Sequence, residues 1–133
     1  MLKRIFGVAV AIMTTSTLGV TAANADLSAG AGTFTGENCK PSEKRLCMFR
    51  NTHYNDGGVY IQGKFALRSF EDSWKFDNQM ASWLNLNEEG GAKYNCVWYP
   101  EKDYKGTPHI MTYNHKNVLL KQEINTASSV KCE

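Results

Sequence analysis

From residue 45 onward, apolar and polar positions alternate in short runs, each closed by glycine, asparagine or aspartate. A period of two over four to eight residues is the mark of a half-buried strand. The pattern predicts strands over 45–50, 59–62, 81–85, 93–99, 109–113, 118–121 and 128–132. Their lengths suit a small all-β domain. Phe70, Trp74 and Phe76 recur at irregular helical spacing in SFEDSWKFDN, which predicts a short turn inside a long loop and no full helix.

The first 25 residues follow a different rule. Lys3 and Arg4 precede an apolar stretch from Ile5 to Met13, and Ala23-Asn24-Ala25 supplies a small-residue end. This is the layout of a secretory signal peptide with cleavage after Ala25. A membrane anchor is the rival reading, but it needs about 20 apolar residues, and Thr14 to Thr17 interrupt the run. Residues 26–37 are small, polar and glycine-rich, so they read as a flexible leader before a single domain over 38–133. Export predicts an extracellular protein that leaves no membrane segment behind.

Removing the signal changes the charge. Of 15 Lys+Arg and 13 Asp+Glu, the signal carries two basic residues and no acid, so 13 of each remain and the formal net charge is zero. No basic run is left to favour nucleic acid or an anionic membrane. The four cysteines, Cys39, Cys47, Cys96 and Cys132, are an even count in a small exported chain, which points to two disulfides. Three pairings are open. Cys39–Cys47, closing a short loop, and Cys96–Cys132, tying a central strand to the end of the domain, are the preferred set. Zinc is a poorer use of these cysteines, because C-x7-C with distant histidines departs from the usual ligand spacing.

Two stretches repeat. YPEKDYKG places Tyr99 and Tyr104 five apart with Gly106 beyond, and FRNTHYNDG places Phe49 and Tyr54 at the same spacing. Further on, DNQMASWLN (77–85) aligns with INTASSVKC (124–132), so that Ala81-Ser82 falls on Ser128-Ser129. Matched landmarks in matched order indicate an internal duplication, with motifs of about 45–87 and 93–133. Two aromatics with a positive-φ residue beyond them suit a hairpin that folds over, Gly106 taking that role in one copy and Asp56 in the other. The serines suit hydrogen bonds to nearby loop backbone.

These elements, an aromatic pair followed by D/N-D/N-x-x-S/T-S, resemble the βγ-crystallin Greek-key motif. The opening CKPSEKRLCMFRNTHYNDGG, with SWLN and ASSVKC, is similar to the Streptomyces metalloproteinase inhibitor family of secreted actinobacterial proteins. The resemblance spans about residues 38–132 and implies an all-β, disulfide-stapled, βγ-crystallin-like sandwich of two Greek keys.

The same resemblance implies a monomeric proteinase inhibitor that presents a rigid loop or strand to an extracellular protease, most directly a metalloproteinase. Cys96, Val97 and Trp98 would be its site, with Cys96-Val97 facing the cleft. The chain departs from the family here, having no cysteine between Val97 and Cys132 to close a short loop. The alternative it implies is a calcium-binding structural or stress protein, since calcium takes six to eight oxygen ligands. Asp77, Asn78 and Ser82 in one motif and Asn125, Ser128 and Ser129 in the other would supply side-chain oxygens. Ala81 and Ile124 each remove one, so at most one incomplete site is expected, and no cofactor is required. An antifungal or killer-toxin-like role is a further alternative that the neutral charge does not encourage.

Catalysis is not expected. His53, His109 and His115 sit in polar stretches, paired cysteines offer no thiolate, and no nucleophile, zincin or phosphate-loop motif occurs. Solvation explains Asp72, Asp77, Glu88 and Glu89 more simply than an acid/base pair does.

Overall fold

The computed structural model describes residues 30–37, 39–71 and 75–133. The predicted signal peptide, residues 26–29 and Trp74 lie outside the described residues. Eleven strands run in the order β1 Gly30–Phe34, β2 Leu46–Phe49, β3 Gly58–Gln62, β4 Phe65–Leu67, β5 Ser82–Asn85, β6 Glu88–Glu89, β7 Ala92–Lys93, β8 Cys96–Tyr99, β9 His109–Met111, β10 His115–Val118 and β11 Ser129–Cys132. They form a five-stranded sheet, β1-β3-β2-β5-β10, a four-stranded sheet, β4-β11-β8-β9, and the hairpin β6-β7. The domain is all-β, as the alternation predicts.

Strand order explains why the chain repeats. β2 to β5 belong to the first motif and β8 to β11 to the second, yet β4 sits in the second motif's sheet and β10 in the first's. Each motif lends one strand to the other, so neither sheet closes without both. Between the sheets lie Met48, Val59, Ile61, Phe70, Phe76, Trp83, Trp98, Met111 and Val130, all nearly sealed from solvent. The strands bury alternate side chains here because successive residues point to opposite faces.

Both preferred disulfides form, Cys39–Cys47 and Cys96–Cys132. The second joins residues directly opposite each other on β8 and β11. Two cysteines in a small domain's core thus staple the central pair of the second sheet.

Two expectations change. Residues 30–34 are not a flexible leader: they form β1, an edge strand on β3. Its glycines concealed it. A Cβ on Gly32 would come within 2.9–3.0 Å of the Tyr60 side chain, and one on Gly57, just ahead of β3, would stand 2.1 Å from the Phe34 carbonyl oxygen, so both positions need glycine for β1 to seat. The strand expected at 118–121 lies at His115–Val118, and all four of its residues are exposed. An edge strand with no buried face carries no apolar alternation to read. β4 and the β6-β7 hairpin were not anticipated, being only three and two residues per strand. The segment expected as a short turn keeps Phe70 and Phe76 fully buried, with their rings edge to face at 5.2 Å.

Candidate functional site

Folded hairpins occupy the two aromatic landmarks. Phe49 and Tyr54 meet edge to face at 5.8 Å, and Tyr99 and Tyr104 do the same at 5.8 Å. Positive φ is not where the sequence placed it in the first copy. Tyr54 (φ 58°) and Tyr104 (φ 61°) themselves take the left-handed region, with Gly106 (φ 90°) beyond the second and no positive φ at Asp56. Burial pushes the phenol pKa of both tyrosines above its ordinary value.

What holds each hairpin down is the last serine of each motif. Ser82 Oγ donates to the Asn51 carbonyl at 2.6 Å, and Ser129 Oγ donates to the Glu101 carbonyl at 2.6 Å. Ser129 Oγ also accepts from the Tyr104 amide at 3.0 Å. Both serines are fully buried. These two hydroxyls are therefore hairpin fasteners.

The loops ahead of the serines cross between motifs. The Asn78 amide donates to the Ala127 carbonyl at 2.9 Å, and the Asn125 amide donates to the Met80 carbonyl at 2.9 Å. Asn78 (φ 56°) and Asn125 (φ 63°) both adopt the left-handed conformation that asparagine tolerates. The bonds are equivalent under the duplication, since Asn78 aligns with Asn125 and Met80 with Ala127. Two pseudo-equivalent clusters result, each built from both motifs.

One cluster keeps its oxygens. Ser128 Oγ lies 3.4 Å from Asn78 Oδ1, and Asp77, the residue before Asn78, has a buried carboxylate oxygen, Oδ1, with no hydrogen-bond partner among the described residues. The other cluster has Asn125 alone: its counterparts are Ile124, which packs against the core, and Ala81, which is buried. Sequence reasoning counted one loss per motif. Because the loops cross, both losses fall in the same cluster and the other is left whole. Among the described residues no three His, Cys, Asp or Glu side chains gather at one point, so any cation here would be held chiefly by neutral oxygens.

The site expected for a protease lies elsewhere and is enclosed. Cys96-Val97 is within β8, an interior strand hydrogen-bonded to β11 on one side and β9 on the other. Cys96 and Trp98 are buried. A cleft must pair with an extended backbone, and here both edges of that backbone are already used. The three expected site residues are brought together by strand geometry and do not form an accessible segment.

Exposed and constrained instead is the loop inside the Cys39–Cys47 disulfide. Lys40, Pro41, Ser42 and Lys44 face solvent. Glu43 Oε1 accepts from the Lys40 amide at 3.1 Å, and the Glu43 and Lys44 amides donate to the Lys40 and Pro41 carbonyls. At its base Lys44 Nζ reaches Glu88 at 3.4 Å. Glu88 also accepts from Tyr113, a hydrogen bond that holds the Glu88 pKa below its ordinary value and raises that of Tyr113.

Two buried asparagines escaped the sequence reading. Asn85 Nδ2 donates to the Tyr94 and Met111 carbonyls at 2.9 and 2.7 Å, and its Oδ1 accepts from the Asn87 amide at 2.9 Å. Asn87 in turn bonds both the amide and the carbonyl of Gly63. Their doubled N-x-N in SWLNLN is the only trace the sequence gives.

Comparison with known proteins places this architecture. No protein-family model matches the chain, and no curated protein does. Among solved structures, one described under the evolution of the eye-lens βγ-crystallin domain fold superposes with a TM-score of 0.57 at 9% identity, over 78% of this chain and 97% of that one. A mutant βγ-crystallin domain from Clostridium beijerinckii gives 0.51 at 14% identity, over 67% and 97%. A βγ-crystallin domain from Flavobacterium johnsoniae gives 0.50 at 12% identity, over 66% and 92%. At these identities the likeness shows the fold: the chain has the βγ-crystallin domain fold, as the repeat predicts.

Proposed function

We propose that this is an exported βγ-crystallin-type domain that binds one calcium ion at the cluster of Asp77, Asn78 and Ser128. The observation that carries the reading is the unpartnered, buried Oδ1 of Asp77 beside a cross-motif Asn78–Ser128 pair. A buried polar atom without a partner costs free energy, and a cation would satisfy it. Hard oxygen donors suit calcium. The residues present fit one ion and do not fit a second, because Ile124 and Ala81 bring carbon where oxygen is needed. Two disulfides suit the oxidising, calcium-rich exterior that the signal peptide implies. Bound calcium would fasten the two crossing loops and so the two motifs.

With one carboxylate in the set, affinity should fall in the range of extracellular modules, about 10⁻⁴–10⁻³ M. Titration calorimetry should show one site, and 10 mM calcium should add roughly 1.5–2.7 kcal/mol of stability. Asp77→Asn should abolish both effects, while Asn125→Ala should leave them unchanged. Two sites, or equal loss in the two variants, would overturn this assignment.

A second reading, proteinase inhibition, has the sequence resemblance and one structural observation in its favour. The disulfide-closed loop at 40–46 is exposed and internally bonded, and rigidity of this kind lowers the ordering cost of binding. Under this reading the loop, and not Cys96-Val97, meets the protease. Mature protein titrated against a thermolysin-like metalloproteinase, a subtilisin-like protease and papain should remove one activity stoichiometrically. Any slow clip should map within 40–46. A clip at Cys96-Val97 would restore the family site, and no inhibition at large excess would end this reading.

A further inference from the structure

The duplication makes β3 and β9 equivalent. β3 pairs with β2 through Val59↔Met48 and Tyr60↔Cys47, and β9 pairs with β8 through His109↔Trp98 and Ile110↔Val97. Aligning Met48 with Trp98 sets Tyr60 on Ile110. Their outer edges differ. β1 lies antiparallel along β3, with Gly32 opposite Tyr60, whereas among the described residues β9 pairs with β8 alone. Around Tyr60 the fit is close: a Cβ on Gly32 would come within 2.9–3.0 Å of its ring and hydroxyl. Ile110, its equivalent, stands 67% exposed. One of two equivalent strand seats is filled, and the other holds no strand among the described residues.

We propose that the free edge of β9 accepts an extended, acidic and partly apolar segment of another polypeptide, in the place that β1 takes on β3. Strand addition to an open edge draws affinity from main-chain hydrogen bonds and specificity from alternate side chains. Beside this edge runs an open groove of about 460 Å³, with Trp83 and Trp98 in its floor and Ile110 and Leu120 on its walls. Exposed Ile110 and Leu120 would bury alternate apolar side chains of the incoming strand.

Charge selects the partner. Lys121, exposed and next in sequence to Leu120 of the groove wall, makes no ion pair among the described residues. Glu123, the acid in the groove wall, is taken up by His109 Nδ1 at 3.4 Å and the Leu120 amide at 3.1 Å. The uncommitted charge is therefore basic, which favours a partner with carboxylates and disfavours a second copy meeting the same basic rim.

The test uses mature, disulfide-intact, ¹⁵N-labelled protein. The probes are two capped peptides of alternating valine and threonine, one ended by glutamates and one by lysines. The acidic peptide should give saturable shifts centred on residues 108–112, and the basic peptide should bind markedly more weakly. Ile110→Ser, at an exposed position, should keep the fold and weaken binding about tenfold, and Lys121→Glu should reverse the peptide preference. No saturable shifts at millimolar peptide, shifts centred on β4 or β1, or indifference to both substitutions would overturn the proposal. So would concentration-dependent shifts at 109–111 without peptide, with dimers by ultracentrifugation, since the occupant would then be a second copy.

Discussion

Asn85→Ala is expected to destabilise the domain by roughly 3–5 kcal/mol, among the larger single-residue effects available to a chain of this size. Its side chain is fully buried and makes three hydrogen bonds, to the Tyr94 and Met111 carbonyls and from the Asn87 amide. Truncation removes three hydrogen bonds to backbone groups, two of them fully buried, at about 1–3 kcal/mol each. These groups belong to the end of the first motif, at Asn87, and to Tyr94 and β9 of the second, so the loss falls on the joint between the two halves. Urea denaturation should show a lower midpoint with an unchanged slope. A cost below about 1 kcal/mol would mean that water replaces the amide, and the joint would then owe little to Asn85.

The second large effect is expected from the longer disulfide. Cys96 and Cys132 are 36 residues apart and Cys39 and Cys47 are 8 apart. Loop-closure entropy assigns about 4 kcal/mol to the first and about 2.5 kcal/mol to the second. Cys96→Ala with Cys132→Ala should therefore lower stability more than Cys39→Ala with Cys47→Ala. Both members of the longer bridge are buried opposite each other in the sheet centre, so lost packing adds to the difference. Paired thermal melts of the two double variants decide the matter, and the reverse order would show that the short loop carries native contacts that the entropy argument omits.

The fold was legible because duplication writes the same physics twice. Phe49/Tyr54 and Tyr99/Tyr104, followed by Ser82 and Ser129, mark the folded hairpins and their fasteners in both copies. β1 and β10 were missed or misplaced for one reason: both are edges, and an edge strand need not bury an alternating face. In β10 every residue is exposed, and in β1 Gly32 answers to the Tyr60 ring. The candidate site was half legible. Asp77, Asn78 and Ser128 were named from the motif, but a linear reading assigns ligands by motif, whereas the loops cross. Ala81 and Ile124 then looked like one loss in each of two sites. Space puts both in one.

The exchange of β4 and β10 also orders events in time. β11 lies between β4 and β8, so the second sheet has no interior until residues 129–132 are available. Its partner β4 was made some sixty residues earlier, at 65–67. Pairings of such long sequence separation fold slowly, because the loop must close before the contact returns anything. A chain emerging from its amino end cannot complete this domain partway. Residues through 132 must be delivered, and then it folds as one body.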